Sequence, residues 1–171
     1  AASVNWETTK NAVVEADNLV ALRLLQNSYA GQVRLIYIDP PYNTGETFTY
    51  PDDFTDPVAA FLAATGRLDD KGRLNELVSR RELFSGRKHS AWLTFMYPRL
   101  VLARSFLRED GAILVAIDDN EQAHLRLLMD EVFGEENFVA SFVWQGGRKN
   151  DAKLVSVGHD YMLCYAKDRA L

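Results

Sequence analysis

Cysteine is almost missing. Cys164 stands alone in 171 residues, so an internal disulfide and a thiolate-metal cluster are both excluded, and cysteine-based redox chemistry drops away. Long hydrophobic runs are also lacking. The longest, such as Ala112 to Ile117, fall far short of the ~18 residues that a membrane span needs. No charged-then-apolar leader opens the chain, so the expectation is a cytoplasmic protein with no membrane contact. Nor is there an excess of positive charge. The formal net charge is −5, which argues against a polycation that grips nucleic acid by bulk charge; any such contact must be local. An initiator methionine is absent too, since the chain opens Ala1-Ala2-Ser3, and a piece of a longer protein is expected.

What is present describes an ordinary globular domain. With 47 % hydrophobic and 25 % charged residues, the chain can bury a sizeable core, and one domain is the first expectation. The charge is unevenly spread. Residues 67–88 carry seven basic and four acidic side chains, while residues 1–66 carry three and eight. A basic stretch is therefore set into an acidic body, where it reads as a connection rather than as core, and loops are where binding groups are usually mounted.

Leu19, Leu22, Leu25 and Gln26 recur at helical spacing behind Asp17-Asn18, which offer N-cap side chains. Val33 to Ile38 is a β-rich apolar run ending at Asp39-Pro40-Pro41, and it reads as a buried parallel strand. From about 51 to 89 the text turns to prolines, glycines and charges, as in an inserted basic loop with a helical turn or two. Ala91 to Leu107 returns to helical patterning, with Trp92, Phe95, Met96, Leu100, Ala103 and Leu107 on one face; Pro98 should kink this helix or mark a late start. Asp110-Gly111 predicts a turn before a strand at Ala112 to Ile117. Asp118 precedes Glu121 at capping-box spacing, and Ala123, Leu127, Leu128 and Val132 then continue as a helix closed by Gly134. Phe138 to Trp144 and Tyr161 to Tyr165 read as two last strands forming an antiparallel hairpin. Strands alternating with helices predict an α/β fold with a mostly parallel sheet. Ligands of such sheets bind beyond the carboxyl ends of the strands, where Asp39 and Asp118 both fall.

The most specific local signal is Ile38-Asp39-Pro40-Pro41-Tyr42-Asn43. Two prolines after a strand stiffen the backbone, so the Asp39 carboxylate, the Pro40 carbonyl and the Tyr42 ring project from a rigid edge. Such a set suits an exocyclic amine, a poor nucleophile because its lone pair is delocalised into the ring. Acceptors on its two N–H bonds favour the pyramidal, attacking form, and a flat ring can stack on the base. The alternative is that Pro-Pro merely ends a strand and Asp39 caps a turn.

Together with Ile36 to Gly45, the strings Gly86-Arg87-Lys88-His89-Ser90-Ala91-Trp92-Leu93, Met96-Tyr97-Pro98-Arg99-Leu100, Ile117-Asp118-Asp119-Asn120-Glu121, Asp130 to Phe138, and His159-Asp160-Tyr161 through Tyr165-Ala166-Lys167 resemble the β-class DNA amino-methyltransferases. They are most similar to the modification subunits of type III restriction–modification systems, in order from about Val14 to Asp168. The resemblance implies an incomplete Rossmann-like methyltransferase fold. It also implies methyl transfer from S-adenosylmethionine to adenine N6 in double-stranded DNA, the base being flipped out of the helix. Asp39, Pro40, Pro41 and Tyr42 would then be catalytic, with Asp39 and the Pro40 carbonyl accepting the amine N–H bonds and Tyr42 stacking on the base. Asp17 and Asp39 would face the cofactor. A homodimer and a restriction subunit are the implied protein partners. An aspartate at the first motif position points to adenine, whereas the related cytosine-N4 enzymes usually carry serine. The sequence also departs from the family. The glycine-rich cofactor loop of Phe-x-Gly-x-Gly type is absent, and Gly146-Gly147 follows no suitable strand and turn. An isolated chain is therefore expected to be inactive, and a non-catalytic module of a restriction–modification assembly, or an enzyme acting on cytosine N4 or RNA, are the alternatives.

Arg80, Arg81, Arg87 and Lys88 are the candidate DNA-phosphate contacts, although a solvated loop explains such a charge run as well. No metal site is expected: His89, His124 and His159 look too scattered, and His124 reads as a surface residue. Asp118 and Asp119 read as capping rather than acid–base groups, the Trp92-Phe95-Met96 stripe as core, and Cys164 as a small buried apolar residue.

Overall fold

A computed structural model describes residues 7–44, 80–147 and 154–171, with side chains left out for residues 80–88. The elements are α1 (Asn18–Tyr29), β1 (Val33–Ile38), α2 (Arg80–Phe106), β2 (Leu107–Ile117), α3 (Gln122–Phe133), a 3-10 turn (Glu135–Asn137), β3 (Phe138–Gln145) and β4 (His159–Ala166). The four strands form one sheet in the order β1-β2-β4-β3. β1 and β2 are parallel, and β4 runs antiparallel to both β2 and β3. The C-terminal hairpin is thus as expected; the described sheet holds one parallel pair and two antiparallel ones.

Alternation along the strands builds the core. Ile113, Val115 and Ile117 of β2 are fully buried and, with Leu163 and Tyr165 of β4, pack against Trp92, Met96 and Leu100 of α2 and Leu125, Met129 and Phe133 of α3. Helices α2 and α3 therefore cover one sheet face. In α2 the expected apolar face is the buried one, and the Trp92-Phe95-Met96 stripe is core. Cys164 is buried as expected, which pushes its thiol pKa up.

Four expectations need correction. α2 starts at Arg80, well before Ala91, and carries Pro98 in its interior rather than at its start. The region 51–79 of the expected insertion lies outside the described residues. β1 is parallel but is not buried on both sides: it edges the described sheet, with Leu35 and Tyr37 58 % and 56 % exposed, while Ile36 and Ile38 face the core. In α3 Leu128 and Val132 pack against the core as expected, but the fully buried side chains are Leu125, Met129 and Phe133, and Ala123 and Leu127 point outward, so the buried face is turned partly away from the expected one. Finally, the strand before Ala112 begins at Leu107, and the predicted turn at Asp110-Gly111 survives as an irregularity in its pairing with β1. Gly111 is needed there, since a Cβ would lie 2.9 Å from the Arg108 carbonyl and 3.1 Å from that of Val33.

Candidate active site

The carboxyl ends of the parallel strands β1 and β2 carry Asp39 and Asp118 side by side, because Ile38 is paired with Val115 and Ile117 stands two residues further on. The start of β4 joins them: Ile117 is paired with Tyr161. Asp39, Tyr42, Asp118, Asp119, Asp160 and Tyr161 thus share one edge of the sheet. That edge is where a doubly wound fold binds its ligand.

The Asp39-to-Asn43 segment is held from behind by two helices. Trp92 Nε1 of α2 donates to the Pro41 carbonyl at 2.7 Å. This bond satisfies a carbonyl beyond the end of β1 and fixes the backbone between Asp39 and Tyr42. Asn43 is in the left-handed region (φ 57°), which asparagine tolerates better than most side chains. It is 8 % exposed and its amide donates to Glu121 Oε1. Asp39 is exposed, and Pro40, Pro41 and Tyr42 are half-buried. The motif is therefore accessible at its polar groups and anchored at its back.

Tyr42 is kept neutral. Burial pushes its hydroxyl pKa well above the ordinary value, and the hydrogen bond to the Asp39 carboxylate, with the charges of Asp39 and Asp160, pushes it further. A phenol so placed is a flat, uncharged surface and a donor to Asp39, but no base. Tyr161 is shifted upward likewise, first by its hydrogen bond to Asp119. His159 Nε2 stands 2.9 Å from the Tyr161 hydroxyl.

Glu121 is the residue that sequence reasoning missed. Read as half of a capping box, it makes no side-chain cap bond; Asp118 instead accepts from the Asn120 amide at 2.9 Å and side chain at 2.6 Å. The Glu121 side chain turns inward, is fully buried, and meets Asn43, His89 (Nδ1 at 2.7 Å) and His124 (Nδ1 at 3.0 Å). The expectation of scattered histidines fails for two of the three, since the His89 and His124 rings stack with centroids 4.4 Å apart. The signal for Glu121 was its position, a carboxylate four residues beyond a buried strand, but nothing local names its partners.

Asp17 caps α1, accepting from Val20 N at 2.9 Å, and its other oxygen lies 3.9 Å from the Arg99 guanidinium. These contacts give it a structural duty alongside any toward a cofactor. Arg80, Arg81, Arg87 and Lys88 lie in the first turns of α2, their side chains outside the described set. Trp92, later in the same helix, touches Pro41, so those turns precede the helix's contact with the motif.

The cofactor fit is one-sided. Gly146 donates its N–H to the Gly158 carbonyl at 2.8 Å, so Gly146 and Gly147 leave the β3–β4 hairpin rather than turning from a strand into a helix. They make no cradle for a nucleoside or its sulfonium.

Comparison with known proteins agrees with this architecture. Among solved structures, the Thermus thermophilus protein TTHA0409 superposes with a TM-score of 0.53 at 11 % identity, covering 86 % of this chain and 50 % of that one. The cytosine-N4-specific PvuII DNA methyltransferase gives 0.51 at 15 %, covering 86 % and 46 %. Both show a shared fold. By sequence, the chain is 46 % identical over 164 residues to the Mod subunit of the type III restriction-modification enzyme StyLTI of Salmonella typhimurium, covering 94 % of this chain and 24 % of that subunit. It is 42 % identical over 166 residues to the EcoP15I Mod subunit of Escherichia coli, covering 95 % and 25 %. It is 31 % identical over 163 residues to the type II methyltransferase M.KpnI of Klebsiella pneumoniae, covering 94 % and 33 %. The chain thus spans about a quarter of the length of the Mod subunits it matches. The family model described as DNA methylase matches residues 33–171, from the first strand through the whole sheet, and the chain belongs to that N6/N4 DNA methylase family.

Proposed function

We propose that the protein carrying this chain transfers a methyl group to the N6 amino group of a specific adenine in double-stranded DNA, as part of a type III-like restriction–modification system. The observation that carries this reading is the Asp39–Tyr42 edge: polar groups open to a ligand at the carboxyl end of β1, with the backbone pinned from behind by Trp92 and Asn43. The extruded base would lie against Tyr42, whose neutral hydroxyl suits stacking. Its amino group would donate one N–H to the Asp39 carboxylate and one to the Pro40 carbonyl. Those two acceptors draw the nitrogen toward a pyramidal geometry and expose its lone pair, and the Asp39 carboxylate stands ready to take the proton released when the new N–C bond forms.

S-adenosylmethionine would supply the electrophilic methyl group. Asp39 would face it, whereas the glycine-rich loop that would cradle it is not among these 171 residues. Relatives named as Mod subunits of type III enzymes favour a restriction subunit as partner, and a homodimer is part of the same reading. Among the described residues no helix is long and apolar enough to cross a membrane, which agrees with a protein that meets DNA in the cytoplasm.

The test is Asp39→Ala in the full protein. Methyl transfer should fall by at least a thousandfold while DNA affinity changes less than threefold, because phosphate contacts made elsewhere supply most of it. Transfer at near wild-type rate would remove Asp39 from the reaction.

A further inference from the structure

We propose that His89, Glu121 and His124 form a binding site for a divalent transition-metal ion of the zinc type, a clip that ties the turn after the Asp39–Tyr42 motif to the third turn of α2 and the start of α3. One donor atom from each of the three side chains lies within 4.8 Å of the others. Glu121 is the unusual member. Its side chain is 0 % exposed, and a buried carboxylate is costly unless its lone pairs are met. Oε1 is met, by the Asn43 amide and by His89 Nδ1 at 2.7 Å. Oε2 is not: neither it nor His124 Nδ1 finds a hydrogen-bond partner among the described residues.

Those two orphaned atoms nevertheless face each other at 3.0 Å. The contact is close enough for an ion pair yet lacks the alignment of an N–H···O bond. It is the spacing of two ligands on one ion. Imidazole nitrogen and carboxylate oxygen each lie about 2.0–2.1 Å from zinc, so adjacent ligands stand roughly 2.8–3.4 Å apart as the angle between them opens from square to tetrahedral. The donor types agree, two neutral imidazoles and one carboxylate being a zinc set that leaves one position open. Access is there too, since the imidazoles are 30 % and 40 % exposed while the carboxylate is not. Through the Oε1 contact with Asn43 the ion would stiffen the turn that follows Tyr42. This reading does not depend on the methyl-transfer chemistry.

The experiment uses the full protein, stripped with a chelator, and cobalt(II) as a visible probe with zinc(II) as its competitor. Cobalt should bind one per chain with a saturable d–d absorption band that zinc abolishes, and zinc should raise the melting temperature. His124→Ala and Glu121→Gln should each weaken cobalt binding at least tenfold and remove the melting shift, with the far-ultraviolet dichroism of the metal-free variants unchanged. His159→Ala, whose ring lies against Tyr161 and outside the cluster, should bind as the wild type does. If Glu121→Gln fails to fold, the half-exposed His124 still decides the matter. Absence of a saturable band, or equal affinity in wild type and His124→Ala, would overturn the site and leave Glu121 as the centre of a hydrogen-bond network alone.

Discussion

Tyr165 is the bulkiest side chain wholly removed from solvent among the described residues, and it shows how a single residue sets a pH limit. Its ring lies against Phe133 and Phe138, with centroids 5.9 and 5.3 Å away. Its hydroxyl donates to Asp130, which also binds Arg126 at 3.1 Å. Burial first, and the Asp130 carboxylate second, push the hydroxyl above its ordinary pKa of 10.0, although Arg126 pulls the other way. The unfolded chain therefore loses this proton first as pH rises, so the contribution is fully present below pH 10 and is lost above it. Tyr42 acts in the same direction. Tyr165→Phe should cost about 1 kcal/mol at neutral pH and give a shallower loss of stability from neutral to about pH 11, read by urea unfolding; an alkaline limb as steep as wild type would contradict it. At this scale, legibility followed sequence distance. The Asp17 cap was readable because the N–H it accepts from, that of Val20, is only three residues on. Glu121 was not, because Asn43 and His89 come from 78 and 32 positions away, and the nearby Asp118 offered a plausible local story.

Element by element, what could be read was what hydrophobic period alone determines. Val33–Ile38 has the expected bounds, and α1 and α2 bury the expected faces. The phase of α3 was misread because its leucines are split between faces: Leu125 is fully buried while Leu127 is 70 % exposed, and only Met129 and Phe133 decide which face wins. How elements are clamped together was invisible. Arg99 of α2 is 6 % exposed; it donates to Asn18 Oδ1 at the start of α1 and to the Phe95 carbonyl, both at 2.7 Å, and its guanidinium lies 3.6 Å over the Phe95 ring. It is the rivet between the two helices. Arg99→Ala should destabilise the fold by about 2–3 kcal/mol through lost charged hydrogen bonds and lost packing of the stem, with amide exchange accelerated most in α1. Arg99→Lys should recover less than half, since one ammonium cannot span the acceptors that a guanidinium fork reaches. Uniform exchange across the molecule would mean that Arg99 stabilises the core and not the α1–α2 contact.

For the molecule as a whole, the charge map and the chain path bear on the same surface. The body is acidic, with a net charge of −5, and the motif's own edge carries Asp39, Asp118, Asp119 and Asp160, a poor place for phosphates unless positive charge is brought close. Helix α2 begins at Arg80 and reaches the motif only at Trp92. At 1.5 Å per residue, its first nine residues extend roughly 13 Å upstream of His89, carrying Arg80, Arg81, Arg87 and Lys88. On the proposed function, these side chains would hold the DNA backbone beside the flipped base and carry no sequence information. Replacing all four with glutamine in the full protein should weaken binding to cognate and unrelated duplexes by similar factors. It should also reduce the slope of log affinity against log salt by about 3.6, at roughly 0.9 per lost phosphate contact. A loss confined to the cognate site would assign these residues to base reading. A slope within about 0.5 of wild type would place the duplex on some other surface of the protein and leave this end of α2 facing water or a partner subunit.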